Sequence, residues 1–180
     1  MSVFETERLV MRPWREDDAE NLYKYASDPA VGPAAGWPVH TSVEDSLRVL
    51  REVLIEDKTW AVTIKPSDEP VGSIGVFRTD APNGNGEPEI GYWIGRPYWG
   101  NGYIPEAVRA LIGRCFDEGA ESVWCSHFAG NDKSRRVIEK CGFQYEGTQR
   151  KGYHIYDGSD RDNLVYSMLR EEWEQRKNRG

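Results

Sequence analysis

The chain has 180 residues, 38% hydrophobic and 29% charged, with a formal net charge of −7 at pH 7. Such a length suits a single domain around one core, residues 1–180, and the balance of apolar and charged residues excludes a disordered chain. The acidic balance, with no basic block to offset it, argues against a nucleic-acid partner.

In chain order, Glu7-Arg8-Leu9-Val10-Met11-Arg12-Pro13 predicts a first strand, stopped by its proline. A helix follows, with Asp17 as its N-cap and Ala19, Leu22, Tyr23 and Ala26 as its buried stripe, ended by Asp28-Pro29. Residues 30–40 form a loop whose Trp37 either lines a substrate pocket or caps the edge of the core. Thr41-Ser42-Val43-Glu44 has capping-box spacing with Thr41 as N-cap, and the helix it opens buries Val43, Leu47, Leu50 and Leu54. Trp60 to Ile64 and Val71 to Phe77 predict a hairpin across a polar turn. Ala81 to Gly86 is a mobile loop by composition.

Glu89-Ile90-Gly91-Tyr92-Trp93-Ile94 predicts the next strand, and it runs into the stretch around which the chain is organised, Arg96 to Ala107. Gly100 and Gly102 let backbone N–H groups turn into a shared concavity, because neither carries a Cβ. A helix begins near Ile104, with Pro105 in its first turn and Glu106 complementing the positive end of its dipole. Ile104, Ala107, Val108, Leu111, Ile112, Cys115 and Phe116 fall on one face, and Gly119 ends the helix. A glycine-rich loop feeding a helix N-terminus is an anion site, most often for phosphate. A dinucleotide fingerprint would want glycine where Pro105 stands, and a Walker loop would want Lys-Ser/Thr where Tyr103-Ile104 stand, so neither fits.

Ser122 to Phe128 is a further strand. Asn131 opens a short helix with Val137, Ile138 and Cys141 inward, closed by Gly142. Phe143 to Arg150 and Leu164 to Leu169 are the last strands, joined by a polar crossover, Asp157 to Asn163. Hairpins mixed with crossover helices point to one α+β (mixed α/β) sheet domain. Cys115, Cys125 and Cys141 have neither metal nor disulfide spacing and read as reduced, buried thiols of a cytoplasmic protein. No run approaches the roughly 18 apolar residues of a membrane span, so no membrane partner is expected.

Five segments occur in a telling order: Glu7 to Pro13; Glu89 to Ile94; Tyr98-Trp99-Gly100-Asn101-Gly102-Tyr103 with Glu106-Ala107; Asn131-x-x-Ser134 with Val137-x-Glu139-Lys140-x-Gly142-Phe143; and Asp162 to Leu169. Together they resemble the GNAT acyltransferase superfamily, and within it the branch that includes the ribosomal-protein N-terminal (alanine/serine) acetyltransferases. The resemblance covers nearly the whole chain. It implies a central, mostly antiparallel sheet of about six to seven strands, splayed at the fourth and fifth, with about four helices. It also implies a monomer or homodimer that uses acetyl-CoA, with no metal, to acetylate a primary amine on a small molecule or a protein N-terminus. A non-catalytic acyl-CoA-binding sensor or partner protein is the alternative.

The resemblance further implies roles for particular residues. Backbone N–H groups of Trp99, Gly100, Asn101, Gly102 and Tyr103 would hold the diphosphate. Trp93, Ile94 and Gly95 would offer the strand edge that pairs with pantetheine. Asn131 matches a pantetheine-bonding position, although a plain helix N-cap is its other reading. Ser134 and Arg136 complete the cofactor contacts, while Lys133, Arg135 and Arg136 read equally well as a solvated helix face. Glu89 is the general base, with Glu87 as the second choice. Ile138 stands where many members carry a tyrosine acid, so Ser134 takes the acid role. Pro97 stands where many carry Arg or Gln, and Arg96, displaced by one, takes no phosphate role. Trp37 and Tyr153, with His40 and Tyr156 nearby in the same segments, lie on the acceptor side.

Overall fold

Alternating and helical hydrophobic periods resolve into eight strands and six α-helices among the residues described by the computed structural model, 2–55, 59–81 and 84–178. The strands are β1 (Phe4–Glu5), β2 (Leu9–Pro13), β3 (Thr59–Ile64), β4 (Pro70–Arg78), β5 (Pro88–Ile94), β6 (Ser122–Phe128), β7 (Gln144–His154) and β8 (Asp160–Leu169). The helices are α1 (Ala19–Ala26), α2 (Gly32–Ala35), α3 (Val43–Val49), α4 (Tyr103–Asp117), α5 (Asp132–Cys141) and α6 (Arg170–Lys177). The sheet order is β1-β2-β3-β4-β5-β6-β8-β7, with β5 and β6 parallel. The mixed α+β class is as expected, with β1, α2 and α6 added to the expected count. Pro82 and Asn83, in the loop expected to be mobile, lie outside the described residues.

The chain forms two compact units, Met1–Gly75 with Tyr92–Ala107, and Val76–Gly91 with Val108–Gly180. In the first, β1, β2, β3 and β4 pair antiparallel, with Met11 opposite Val62 and Trp60 opposite Ile74. Its core gathers Trp14, Ala19, Leu22, Ala26, Leu50 and Ala61, with Trp37, Val43, Leu47, Leu54 and Trp93 packed on it. Beside this apolar core lies a buried cation. Arg12 is 3% exposed, donates to both Asp18 oxygens at 2.8 Å, and donates to Asp68 Oδ1 at 2.7 Å.

That ion pair explains the first helix boundary. Asp17 is not the cap; a 3₁₀ turn, Glu16–Asp18, precedes α1, and Asp18 accepts from the Arg15 N–H at 2.9 Å. Tyr25, not Tyr23, completes the buried stripe, because its phenol reaches Glu69 Oε1 at 2.6 Å. The cap of α3 is Ser42 rather than Thr41. Ser42 Oγ accepts from the Asp45 N–H at 3.1 Å, while Thr41 donates its own N–H to the Asp45 carboxylate. A π turn, Leu50–Leu54, continues α3 and carries Leu50 into the core.

In the second unit β6 pairs with β8 along its whole length, from Ser122↔Leu169 to Phe128↔Asn163, and β7 lies on the other side of β8. Val108, Leu111, Ile112, Val123, Ile138 and Met168 are fully or almost fully buried. Asp157 to Asn163 is not a crossover. β7 and β8 form a long hairpin whose turn is closed by Ile155 N–H to Ser159 O at 3.1 Å, and Asp160 already pairs with His154. The strand ends carry charged, exposed residues, so hydrophobic alternation does not mark them. α6 escaped the pattern for the same reason: it buries little, holding Trp173 against Phe116 at 6.1 Å between centroids. The three cysteines are buried thiols outside any disulfide, and burial pushes the Cys115 thiol up to about 12 and the Cys141 thiol up to about 11.

Candidate active site

Strand register assembles a cleft in the second unit. Residues opposite one another on paired strands share a face, and alternate residues return to it. Glu89 stands opposite Trp124, Ser126 opposite Val165, Phe128 opposite Asn163, and Gln149 opposite Asn163. A bulge between Gln149 and Tyr153 then re-aims β7. Glu89, Ser126, Gln149, Tyr153, Asn163 and the chain at Asp80 thereby line one cleft of about 270 Å³. That volume lies just below the usual range of ligand pockets, about 300–1,000 Å³, and suits a small group.

Inside it, Glu89 Oε1 accepts a 2.6 Å hydrogen bond from Ser126 Oγ. The bond fixes the carboxylate's rotamer and leaves Oε2 as its second oxygen. Tyr153, the expected acceptor-side residue, lines the same cleft with its ring against Phe128 at 5.8 Å. Burial first, and then the Glu89 charge, raise the Tyr153 phenol above its ordinary value, so it stays protonated and can donate. Glu87 is engaged elsewhere, its Oε2 accepting the Glu121 N–H at 3.2 Å at the entry to β6. Ser126 was missed from sequence. The local cue, a hydroxyl beside an imidazole at Ser126-His127, does not single it out, since β6 also opens on Ser122. His127 itself is buried, with Nε2 at 3.2 Å from the Tyr166 hydroxyl.

At the start of α5, Asn131 Oδ1 accepts from the Ser134 N–H at 3.1 Å, an N-cap bond. Arg135 pairs with Asp132 at 3.4 Å and Arg136 is exposed. Ile138 is fully buried, a core position rather than one open to a ligand.

The glycine loop belongs to the first unit. Gly100 and Gly102 take φ of +80° and +79°, the left-handed region glycine favours. The N–H groups of Gly100, Gly102 and Tyr103 donate to no acceptor among the described residues. Trp99 departs from expectation: its N–H is spent on Arg96 O at 3.2 Å, closing a 3₁₀ turn, and its indole donates to Ile94 O at 2.9 Å. Gly95 likewise donates its N–H to Val71 O at 2.8 Å. A brace invisible from sequence holds the loop. Glu106 accepts from the Thr6 hydroxyl at 2.6 Å and from Arg8 Nε at 2.7 Å, while Arg8 Nη1 reaches Asn101 O at 3.1 Å. Burial pulls the Glu106 carboxyl upward, but the Thr6 and Arg8 bonds outweigh it and the net direction is down. Trp37 meets Trp93 edge-to-face at 5.7 Å and packs on the core of this unit, with His40 beside it.

No group of three or more His, Cys, Asp or Glu among the described residues is placed to hold a metal ion. No helix among them is long and apolar enough to cross a membrane. A family described as the acetyltransferase (GNAT) domain matches residues 8–144. The chain is 31% identical over 183 residues to an uncharacterised N-acetyltransferase, p20, of Bacillus licheniformis, covering 96% of this chain and 99% of that protein. It is 27% identical over 151 residues to the ribosomal-protein-serine acetyltransferase of Escherichia coli, covering 74% and 76% of the two chains. Among solved structures, a GNAT-family acetyltransferase from Bacillus anthracis superposes with a TM-score of 0.82 at 26% identity, covering 95% of this chain and all of that one. Sequence match and superposition agree over nearly the whole chain, which belongs to the GNAT acetyltransferase family.

Proposed function

We propose that the protein moves the acetyl group of acetyl-CoA onto a primary amine by direct attack, with Glu89 as the general base. The observation that carries this reading is the Glu89 carboxylate, oriented by Ser126 at 2.6 Å inside a cleft of amine size. Acetyl-CoA supplies a thioester-activated acetyl group. The attacking amine must be neutral, and free α-amines have a pKa of about 7.7–8.0, so a carboxylate that accepts the proton, directly or through one water, extends activity toward neutral pH. The new bond joins the amine nitrogen to the acetyl carbon; the carbon–sulfur bond breaks, and the thiolate takes up a proton. Ser134 is the proposed donor, its hydroxyl relaying a proton from water so that no alkoxide is left behind, in place of the tyrosine that the resemblance puts at Ile138.

For the co-substrate, the N–H groups of Gly100, Gly102 and Tyr103 are the proposed diphosphate donors, with Asn101 in the same loop. The segment Trp93–Gly95, Asn131, Ser134 and Arg136 supply the remaining proposed contacts. Tyr153, which lines the cleft, is assigned to the acceptor, while Trp37 packs on the core of the first unit. A protein N-terminal α-amine and a small-molecule amine both suit the cleft, and the serine acetyltransferase among the relatives supports the first.

Thiol release from acetyl-CoA, followed against a panel of amines, tests the reading. With an accepted amine, Glu89→Gln lowers kcat by about 10²–10⁴ and leaves acetyl-CoA affinity intact, because only the proton acceptor is lost. Near-normal turnover across pH in the variant would remove Glu89 as the base.

A further inference from the structure

The cleft that holds Glu89 also holds an unanswered acceptor. Asn163 is 9% exposed, and its Nδ2 donates to Gln149 Oε1 at 3.1 Å. Its Oδ1 is buried and has no hydrogen-bond partner among the described residues. A buried carbonyl without a donor costs roughly 1–3 kcal/mol, so one kept in a ligand cleft is best explained by a donor that arrives with the ligand. Of the cleft's other polar side chains, Ser126 is spent on Glu89, and His154 Nδ1 lies 2.9 Å from Asp160. Asp80 and Glu89 give the lining two carboxylates, which favour a cationic molecule.

We infer that the acceptor is an amine carrying a second, neutral hydrogen-bond donor close to its nitrogen, and that Asn163 Oδ1 reads that donor. This rests on the transferase reading of the same cleft. It narrows the acceptors to amino alcohols, amino amides and peptide N-termini, all of which place a hydroxyl or an amide N–H near the amine, and it disfavours plain alkylamines. The discrimination follows from desolvation. An alkylamine entering the cleft leaves Oδ1 buried and unpaired, whereas a hydroxyl or amide group satisfies it. Gln149 acts through Asn163 as a positioning residue, holding the amide so that its oxygen is the atom presented.

The test compares propylamine, ethanolamine and glycinamide, which share a primary amine and differ in the neighbouring donor. Affinity is measured by calorimetry with CoA present, and kcat/KM by thiol release. The wild type should prefer ethanolamine or glycinamide over propylamine by about tenfold or more, the worth of one buried hydrogen bond. Asn163→Leu should bring that ratio close to one, and Gln149→Leu, which leaves the Asn163 amide unheld, should lower it part of the way. The hydroxyl and amide arms separate amino-alcohol from peptide-like acceptors. Equal affinity for the three amines in the wild type, or a preference that survives Asn163→Leu in a folded protein, would overturn the inference. Selective binding without thiol release would instead overturn the transferase reading and leave the role of Asn163 standing.

Discussion

Ser126 spends its hydroxyl on a single oxygen of Glu89, at 2.6 Å, and that bond fixes which way the carboxylate points. A hydrogen bond to a charged group is worth about 1.5–3 kcal/mol, so Ser126→Ala should lower kcat about tenfold or more while acetyl-CoA affinity holds. An unchanged kcat would mean that β5 alone orients Glu89. Glu89 itself was legible because it opens a strand that runs straight into the glycine loop. Ser126 was not, since a strand serine has no period or spacing of its own and gains its meaning from a partner 37 positions away. Arg12 was hidden in the same manner: nothing in its own strand marks its partner, yet it is buried against Asp18 at 2.8 Å. Arg12→Leu leaves the Asp18 carboxylate buried without its cation and should cost about 3–5 kcal/mol in urea unfolding. Adding Asp18→Leu should recover part of that loss, because the uncompensated charge is then gone.

Elements with strong periods were the legible ones. α4 shows its apolar stripe over fifteen residues, and every member of that stripe is buried. β7 and β8 did not show their full length, because the ends that meet at the hairpin turn are polar on both faces and only the second half of β8, from Leu164 on, is mostly apolar. The loop before α4 combines both cases. Its glycines were legible from their spacing, whereas the Arg8–Glu106 brace joins segments 98 positions apart. A Cβ on Gly102 would meet only Arg8 Nη2, at 3.6 Å, so space does not forbid a side chain there; the φ of +79° does. Gly102→Ala should therefore cost about 1–2 kcal/mol if the loop keeps its shape. If the loop instead relaxes to a negative φ, the N–H groups rotate and acetyl-CoA affinity falls. Thermal unfolding with and without acetyl-CoA separates the two: the first lowers both midpoints alike, the second shrinks the ligand-induced shift. A variant with wild-type midpoints in both conditions would show that neither glycine conformation nor loop amides matter to binding.

For the whole molecule, pH reports how burial is distributed. His40 is 6% exposed, with Nδ1 at 2.8 Å from Ser46 Oγ, and its backbone N–H donates to Ala26 O at 3.1 Å. Burial lowers the pKa of the imidazole below its ordinary value, Arg48 pushes the same way, and Asp45 opposes them. The folded protein therefore holds His40 neutral where the unfolded chain would protonate it. Its contribution to stability is complete above about pH 6.5 and is lost as pH falls from there toward the depressed folded value. Asp68 and Glu106, whose carboxyls are held below their ordinary values of 3.8 and 4.5 by bonds from Arg12, Thr6 and Arg8, add a separate loss at lower pH. The two windows do not coincide, so they can be told apart. Urea midpoints should fall between pH 7 and pH 5.5 in the wild type, and His40→Gln should flatten that interval while leaving the steeper loss below about pH 4.5 in place. A wild-type midpoint flat to pH 5.5 would mean that the imidazole is hydrated enough to charge in place. The packing of His40 beside Trp37 would then be looser than the 5.2 Å separation of the two rings implies.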